Sequence, residues 1–300
     1  MLDATPTYLA FLAVVAVPPT LALVALAAAK SPGGRRLVAV ALLTLVALAY
    51  TTPWDNELVR RGVWHYGEGT VALRIWHAPL GEYLFVVLQS VAVGLFVSHA
   101  LARAGGGLDA GAPPVDRRST ARPGPTDVSR RDRALGALAG LGVGGLGLAL
   151  TGRPSTFYLG ATLAWAGPVL ALQWAVGWRH LLARRRLVAA GVLVPTAYCW
   201  LADRLALELG VWIISPAFTT GVAPGGLPVE EAVFFLLTSL FLTQGLVLYE
   251  WVLAGWDPTA ALIRVGAIRP RLGAATDRTW LVERWTRLTD RWAGVLDRWA

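Results

Sequence analysis

The stretch GGLPVEEAVFFLLTSLFLTQGLVLYEW, Gly225 to Trp251, decides how this chain is read. Two adjacent carboxylates, Glu230 and Glu231, stand at the entrance to a long, almost wholly apolar run. About 20 apolar residues are what an α-helix needs to cross the hydrocarbon core of a bilayer. A charge at its mouth is costly, so it asks for a chemical reason.

Working outward, the same apolar character recurs. Of 300 residues, 55% are hydrophobic and 15% charged, with a mean hydropathy of +0.54. An ordinary soluble domain is neither so apolar nor so poor in charge. Spans are expected at about Tyr8–Ala29, Leu37–Thr52, Pro79–Ala102, Ala134–Thr151, Phe157–Trp178, Leu187–Leu209 and Pro228–Ala254. The second is short for a crossing and is expected to extend or to tilt little. The segment 103–133, rich in Gly, Pro, Arg and Asp, reads as a flexible linker. A single cysteine, Cys199, excludes a disulfide framework.

Charge then orients the chain. With the N-terminus outside, 22 of the 27 basic side chains fall on the inner side. The outer side keeps Arg60, Arg61, Arg74, Arg153 and Arg204. This is a positive-inside distribution, and it accounts for the net charge of +8 without nucleic acid. The expected location is the cell membrane, multi-pass, with the C-terminus cytoplasmic. Met1-Leu2-Asp3 lacks a basic region and Pro18-Pro19 interrupts the first apolar run, so that run is read as a span and not as a cleaved signal.

The chain also repeats itself. Tyr8 and Pro18 match Tyr158 and Pro168. Asp55 and Gly62-Val63-Trp64 match Asp203 and Gly210-Val211-Trp212. Pro79, Glu82 and Phe85 match Pro228, Glu231 and Phe234. The offsets are 150, 148 and 149 residues, and the matches are collinear. The expected fold is therefore all-α: about seven transmembrane helices, built as two parallel three-helix repeats joined by a linker helix. Residues 5–102 form the first repeat and 103–152 the polar linker with its connecting helix. Residues 153–255 form the second repeat and 256–300 a tail. In the tail, Trp285, Leu288, Trp292, Val295 and Trp299 alternate in steps of four and three among arginines, the pattern of a basic amphipathic helix on the inner membrane surface.

Parallel repeats place both acidic ends on one side, where they can converge on one cavity. Glu82, Glu230 and Glu231, with Asp55 and Asp203, are the candidate catalytic residues. The plainer explanation is that an acid after a helix-opening proline compensates the helix dipole. That does not account for the same spacing twice, each time followed by Phe85 or by Phe234-Phe235. Trp54, Trp64, Trp76, Trp200 and Trp212 fall near the outer interface, and for most of them an aromatic belt is expected. A ring facing an inner cavity would instead stabilise a cation. Gly140-x-Gly142-x-x-Gly145 formally matches a dinucleotide fingerprint, but it sits inside an apolar span and reads as a helix-packing surface. His65 and His77 lack companions at metal-ligand spacing.

The stretches TTPWDNELVRRGVW, PLGEYLFVVLQ and LPVEEAVFFLLTSL resemble the lycopene cyclase domain family of membrane carotenoid cyclases, over residues 5–255. The resemblance implies ring closure at the linear ends of lycopene, giving β-ionone rings without net redox change. It implies a carotenoid substrate in a lipid bilayer, and site residues Asp55, Asn56, Glu82, Glu230 and Glu231. Trp64, Trp212, Phe85, Phe234 and Phe235 are expected to hold the substrate. The first repeat departs from the family pattern in having Gly81 where a second acid is usual. Such chemistry asks for a protonated acid, a base and a dry aromatic cavity, and a carboxyl desolvated in apolar surroundings supplies the first. No cofactor or metal is called for, although the sequence leaves a flavin open. A hydratase that traps the same cation with water, and a carotenoid-binding or transport protein without catalysis, are the other readings.

Overall fold

A computed structural model describes residues 5–30, 33–103 and 127–254. The amphipathic tail expected at 256–300 lies outside these residues. So does most of the linker.

The first span is made of α1 (Tyr8–Val15) and α2 (Val17–Lys30), in line across a break at Ala16. The Thr7 hydroxyl caps α1 by accepting from the Ala10 N–H at 3.2 Å. Pro18 and Pro19 sit in the first turn of α2, where their missing N–H groups cost least. The second span, α3, runs over Gly34–Arg61 and ends at Gly62 in the left-handed conformation (φ 73°). The short second span, drawn to Thr52, thus extends to Arg61. Pro53 lies inside α3, and the helix continues through it, so Trp54, Asp55 and Asn56 are helical and not part of a loop. Side-chain bonds support the backbone around it: the Thr52 hydroxyl donates to Leu48 O at 2.7 Å and Asn56 Nδ2 donates to Thr52 O at 2.9 Å.

After α3 come β1 (Trp64–Tyr66) and a small hairpin of β2 (Arg74–Ile75) with β3 (Ala78–Pro79), then α4 (Leu80–Arg103). The second half holds α5 (Arg130–Leu150), α6 (Phe157–Ala183), α7 (Arg185–Glu208), β4 (Trp212–Ile214) and α8 (Val229–Ala254). Six of the described spans are long and apolar enough to cross a membrane. The seventh helix, α7, is 24 residues long and packs against α8 among them. The chain is an all-α membrane protein.

Two packing features position the rest. β1 pairs antiparallel with β4, placing Trp64 opposite Ile214 and Tyr66 opposite Trp212. Trp64 and Trp212 are themselves counterparts at the 148-residue offset, so the ladder maps onto itself by a half-turn through His65 and Ile213. The linker helix α5 lies tightly along α6. A Cβ at Gly136, Gly140 or Gly147 would fall into the α6 backbone at Trp174, Ala171 or Ala164. Those glycines serve close helix contact, which dispersion favours where lipid offers no hydrophobic drive.

Candidate functional site

At one end of the bundle α3 and α7 finish while α1, α4, α6 and α8 begin. Chain direction alone therefore brings together the C-terminal acids of one helix pair and the N-terminal acids of another. Asp55 on α3, Glu82 on α4, Asp203 on α7 and Glu231 on α8 all line one cavity of about 260 Å³. That is close to the lower end of small-molecule sites, roughly 300 to 1,000 Å³. Its walls are otherwise nearly all apolar, and the rings of Phe11, Phe85, Phe234, Phe235, Trp64 and Trp212 are among those that line it.

Each acid but Asp55 has a defined aromatic partner. The Tyr158 hydroxyl donates to Glu231 Oε1 at 2.8 Å. The Tyr66 hydroxyl donates to Glu82 Oε1 at 2.6 Å and accepts from Trp64 Nε1 at 2.9 Å. Trp212 Nε1 donates to Asp203 Oδ1 at 3.0 Å, while Asp203 Oδ2 is buried without a partner. Tyr66 lies between spans, and its phenol is held well above its ordinary pKa, first by burial and then by the Glu82 and Asp55 carboxylates. It therefore stays a proton-bearing donor. Among the described residues none of the four acids has an ion-pair partner; the arginines nearby on the chain bond Glu57 and Glu208. Four carboxyl groups without a cation, in apolar walls, can exchange protons with one another and with a bound molecule.

Not every expected site residue reaches the cavity. Glu230 is fully buried but points away, and its Oε1 accepts from the Thr220 N–H at 2.7 Å. Successive helical residues diverge by about 100°, so Glu230 and Glu231 cannot share a direction. Asn56 also stands outside the lining. Its Oδ1 accepts from the His77 and Ala78 N–H groups at 2.9 and 3.0 Å, and its Nδ2 donates to Thr52 O and Tyr83 Oη. That pattern ties the β2–β3 hairpin to α3. The belt expected for most tryptophans is corrected: only Trp76 among the five is strongly exposed, at 72%. Trp64 and Trp212 face the cavity, Trp54 stacks between Trp165 and Phe234, and Trp200 donates to Ala232 O.

The residues that the sequence reading missed are Tyr66, Tyr158 and Tyr8. Tyr8 and Tyr158 were visible as repeat markers, and a tyrosine repeated at the mouth of two spans was the available signal. Tyr8 also explains Gly81. A Cβ at that position would overlap the Tyr8 ring, so the glycine makes room for a tyrosine that reaches Glu82.

Comparison with known proteins settles the lineage. A family model described as lycopene cyclase matches residues 5–100 and 155–252. The chain belongs to the lycopene cyclase family. It is 51% identical over 253 residues to a lycopene beta-cyclase of Halobacterium salinarum, covering 84% of this chain and 99% of the relative. It is 31% identical over 223 residues to a bifunctional lycopene cyclase/phytoene synthase of Podospora anserina, and 32% over 213 residues to one of Aspergillus niger. Those matches take in 71% and 69% of this chain but 35% and 34% of the fungal proteins. No solved structure matches. Within this family, the two matched segments of the cyclase chain flank the linker and α5, and both contribute acids to the cavity.

Proposed function

We propose that the chain is a lycopene β-cyclase that closes the linear ends of lycopene by acid-initiated, redox-neutral cyclisation. The observation that carries this reading is the convergence of Asp55, Glu82, Asp203 and Glu231, none of them ion-paired among the described residues, on one aromatic-walled cavity. A carboxylic acid adds its proton to the terminal double bond of the polyene end. The carbocation so formed is attacked by the next double bond, which makes the ring carbon–carbon bond and moves the cation into the ring. Loss of a neighbouring ring proton to a carboxylate restores the double bond. One proton enters and one leaves, so no electron acceptor takes part.

In this scheme Glu231 donates, because its position after the proline recurs in both repeats and Tyr158 fixes its carboxyl. Glu82, held by Tyr66, and Asp203, with its free Oδ2, are the acceptors closest in chemistry. Asp55 shares the proton inventory. Glu230, sequestered by Thr220, acts only as a neighbouring buried acid. The faces of Trp64, Trp212, Phe85 and Phe234 offer electron density to the cation as it migrates.

The two matched segments and the half-turn pairing of β1 with β4 support a division into repeats 5–102 and 153–255. The charge asymmetry supports a multi-pass orientation with the acid cavity toward the outer face and the C-terminus cytoplasmic. Expression in a lycopene-accumulating bacterial host tests the activity. Red pigment should turn yellow-orange, with β-carotene or γ-carotene on chromatography; unchanged lycopene beside membrane-inserted protein overturns the reading.

A further inference from the structure

The half-turn that relates the repeats lets each wall of the bundle be compared with its counterpart. Tyr50 Oη donates to Trp165 O at 2.7 Å, and Tyr198 Oη donates to Val15 O at 2.6 Å. Tyr50 and Tyr198 are counterparts at the 148-residue offset, and Val15 and Trp165 at the 150-residue offset. The same bond is thus made twice, so the two flanks correspond in sequence and in this contact.

Their side chains differ sharply. On one flank Trp54 stacks on Trp165 (4.9 Å, 26°) and on Phe234 (5.5 Å, 8°), and Trp165 meets Phe241 at 5.4 Å. These rings sit in a continuous apolar cluster with Leu170 and Leu237. On the other flank the counterparts of Trp54, Trp165 and Phe241 are Ala202, Val15 and Ala92. All three line the acid cavity. Phe85, the counterpart of Phe234, is retained there. One replacement runs the other way: Phe11 stands where the filled flank has Ala161, and it leans edge-on against Trp212 at 5.6 Å, at the border of the space. Three large rings are therefore missing on one side only, and a cavity lies where they would be.

We infer that, among the described residues, the chain holds one substrate chamber, opened by Val15, Ala92 and Ala202. The dyad-related chamber is filled by the chain's own Trp54, Trp165 and Phe241. This rests on the cyclase reading and extends it in two ways. Residues 15, 92 and 202 set how large a polyene end the enzyme accepts, since their volume is the chamber's volume. A substrate with two ends to close presents them in turn to the same chamber, withdrawing the finished ring before the second end enters. The chamber continues past Pro19, Leu23, Phe96 and Val194, apolar side chains deep in the spans, so the remaining polyene has a path along the helices.

The test fills one flank and thins the other. Ala202→Leu, Ala92→Leu and Ala202→Trp are compared with Trp54→Leu and Phe241→Leu in the full-length chain, in a lycopene-accumulating host. Rings formed are read per molecule inserted in the membrane, so poorer accumulation of a variant does not mask the result. A single carbon too many in a fitted apolar site costs about tenfold or more in rate. The three filling substitutions should each lose at least about that factor, with Ala202→Trp the lowest. The two thinning substitutions should stay near the wild-type rate per inserted molecule. Filling variants that cyclise normally, or thinning variants that lose as much as the filling ones, overturn the single-chamber assignment. A wild-type chain that forms no rings is a different result, since it removes the cyclase reading itself.

Discussion

Replacing Glu231 with glutamine isolates the proton from every other property of the side chain. Its Oε1 accepts from the Tyr158 hydroxyl at 2.8 Å, and an amide oxygen can accept in the same place. The side chain is only 6% exposed, so the substitution changes little surface and no ion pair. What disappears is the transferable proton. A positioned acid contributes about 100- to 10,000-fold to rate. If Glu231 merely complemented the dipole of α8, its loss would cost roughly 0.3 to 1 kcal/mol, which is a factor of about 2 to 5. The two explanations are therefore separated by more than an order of magnitude. The assay is ring formation by chromatography of host pigments, with inserted protein quantified in the same membranes. Glu82→Gln is run beside it, because Tyr66 holds Glu82 as Tyr158 holds Glu231. If both variants cyclise within about fivefold of wild type at matched levels, the acid assignment is wrong and helix capping suffices.

Other substitutions follow from the same geometry. Asp203→Asn keeps the acceptor for Trp212 Nε1 but removes the basicity of the unpartnered Oδ2, and ring formation should fall by about tenfold or more if a positioned base has been lost; a normal rate at matched insertion removes Asp203 from the proton path. Tyr66→Phe breaks the Trp64–Tyr66–Glu82 chain of hydrogen bonds and leaves Trp64 Nε1 without its acceptor; an unmade buried bond costs about 1 to 3 kcal/mol, read as a slower rate with normal insertion. Gly81→Ala drives a methyl into the Tyr8 ring and should displace Tyr8, reducing activity, whereas Gly62→Ala, which meets no atom within 4 Å, should affect only the end of α3. Gly140→Leu on α5 forces the helix off Ala171 and should reduce accumulation and thermal stability of the protein in detergent, with activity per surviving molecule changed less.

Much of the architecture was legible because a bilayer constrains the chain so tightly. A backbone without water must satisfy its own polar groups, so spans declare themselves as long apolar helices. Arginine placement is the basis of the proposed orientation, and three collinear offsets are the basis of the proposed repeat. The tertiary structure decided what periodicity cannot express. Pro53 and the polar Asp55-Asn56 pair looked like the end of a span, yet α3 runs on to Arg61, with the Thr52 and Asn56 side chains bonding the backbone around the proline. The repeat marks Glu231 as the counterpart of Glu82, but only the fold shows that one helical step turns Glu230 to Thr220 and Glu231 into the cavity. Tyr8 and Tyr158 carried the repeat signal without showing that they touch acids. The deepest difference is between the flanks. Sequence places Trp54, Trp165 and Phe241 opposite Ala202, Val15 and Ala92, but only packing of helices from both repeats brings the first three into one stack and leaves space beside the others. Residue type is a local property; which face of a helix meets which neighbour is fixed by the whole bundle at once.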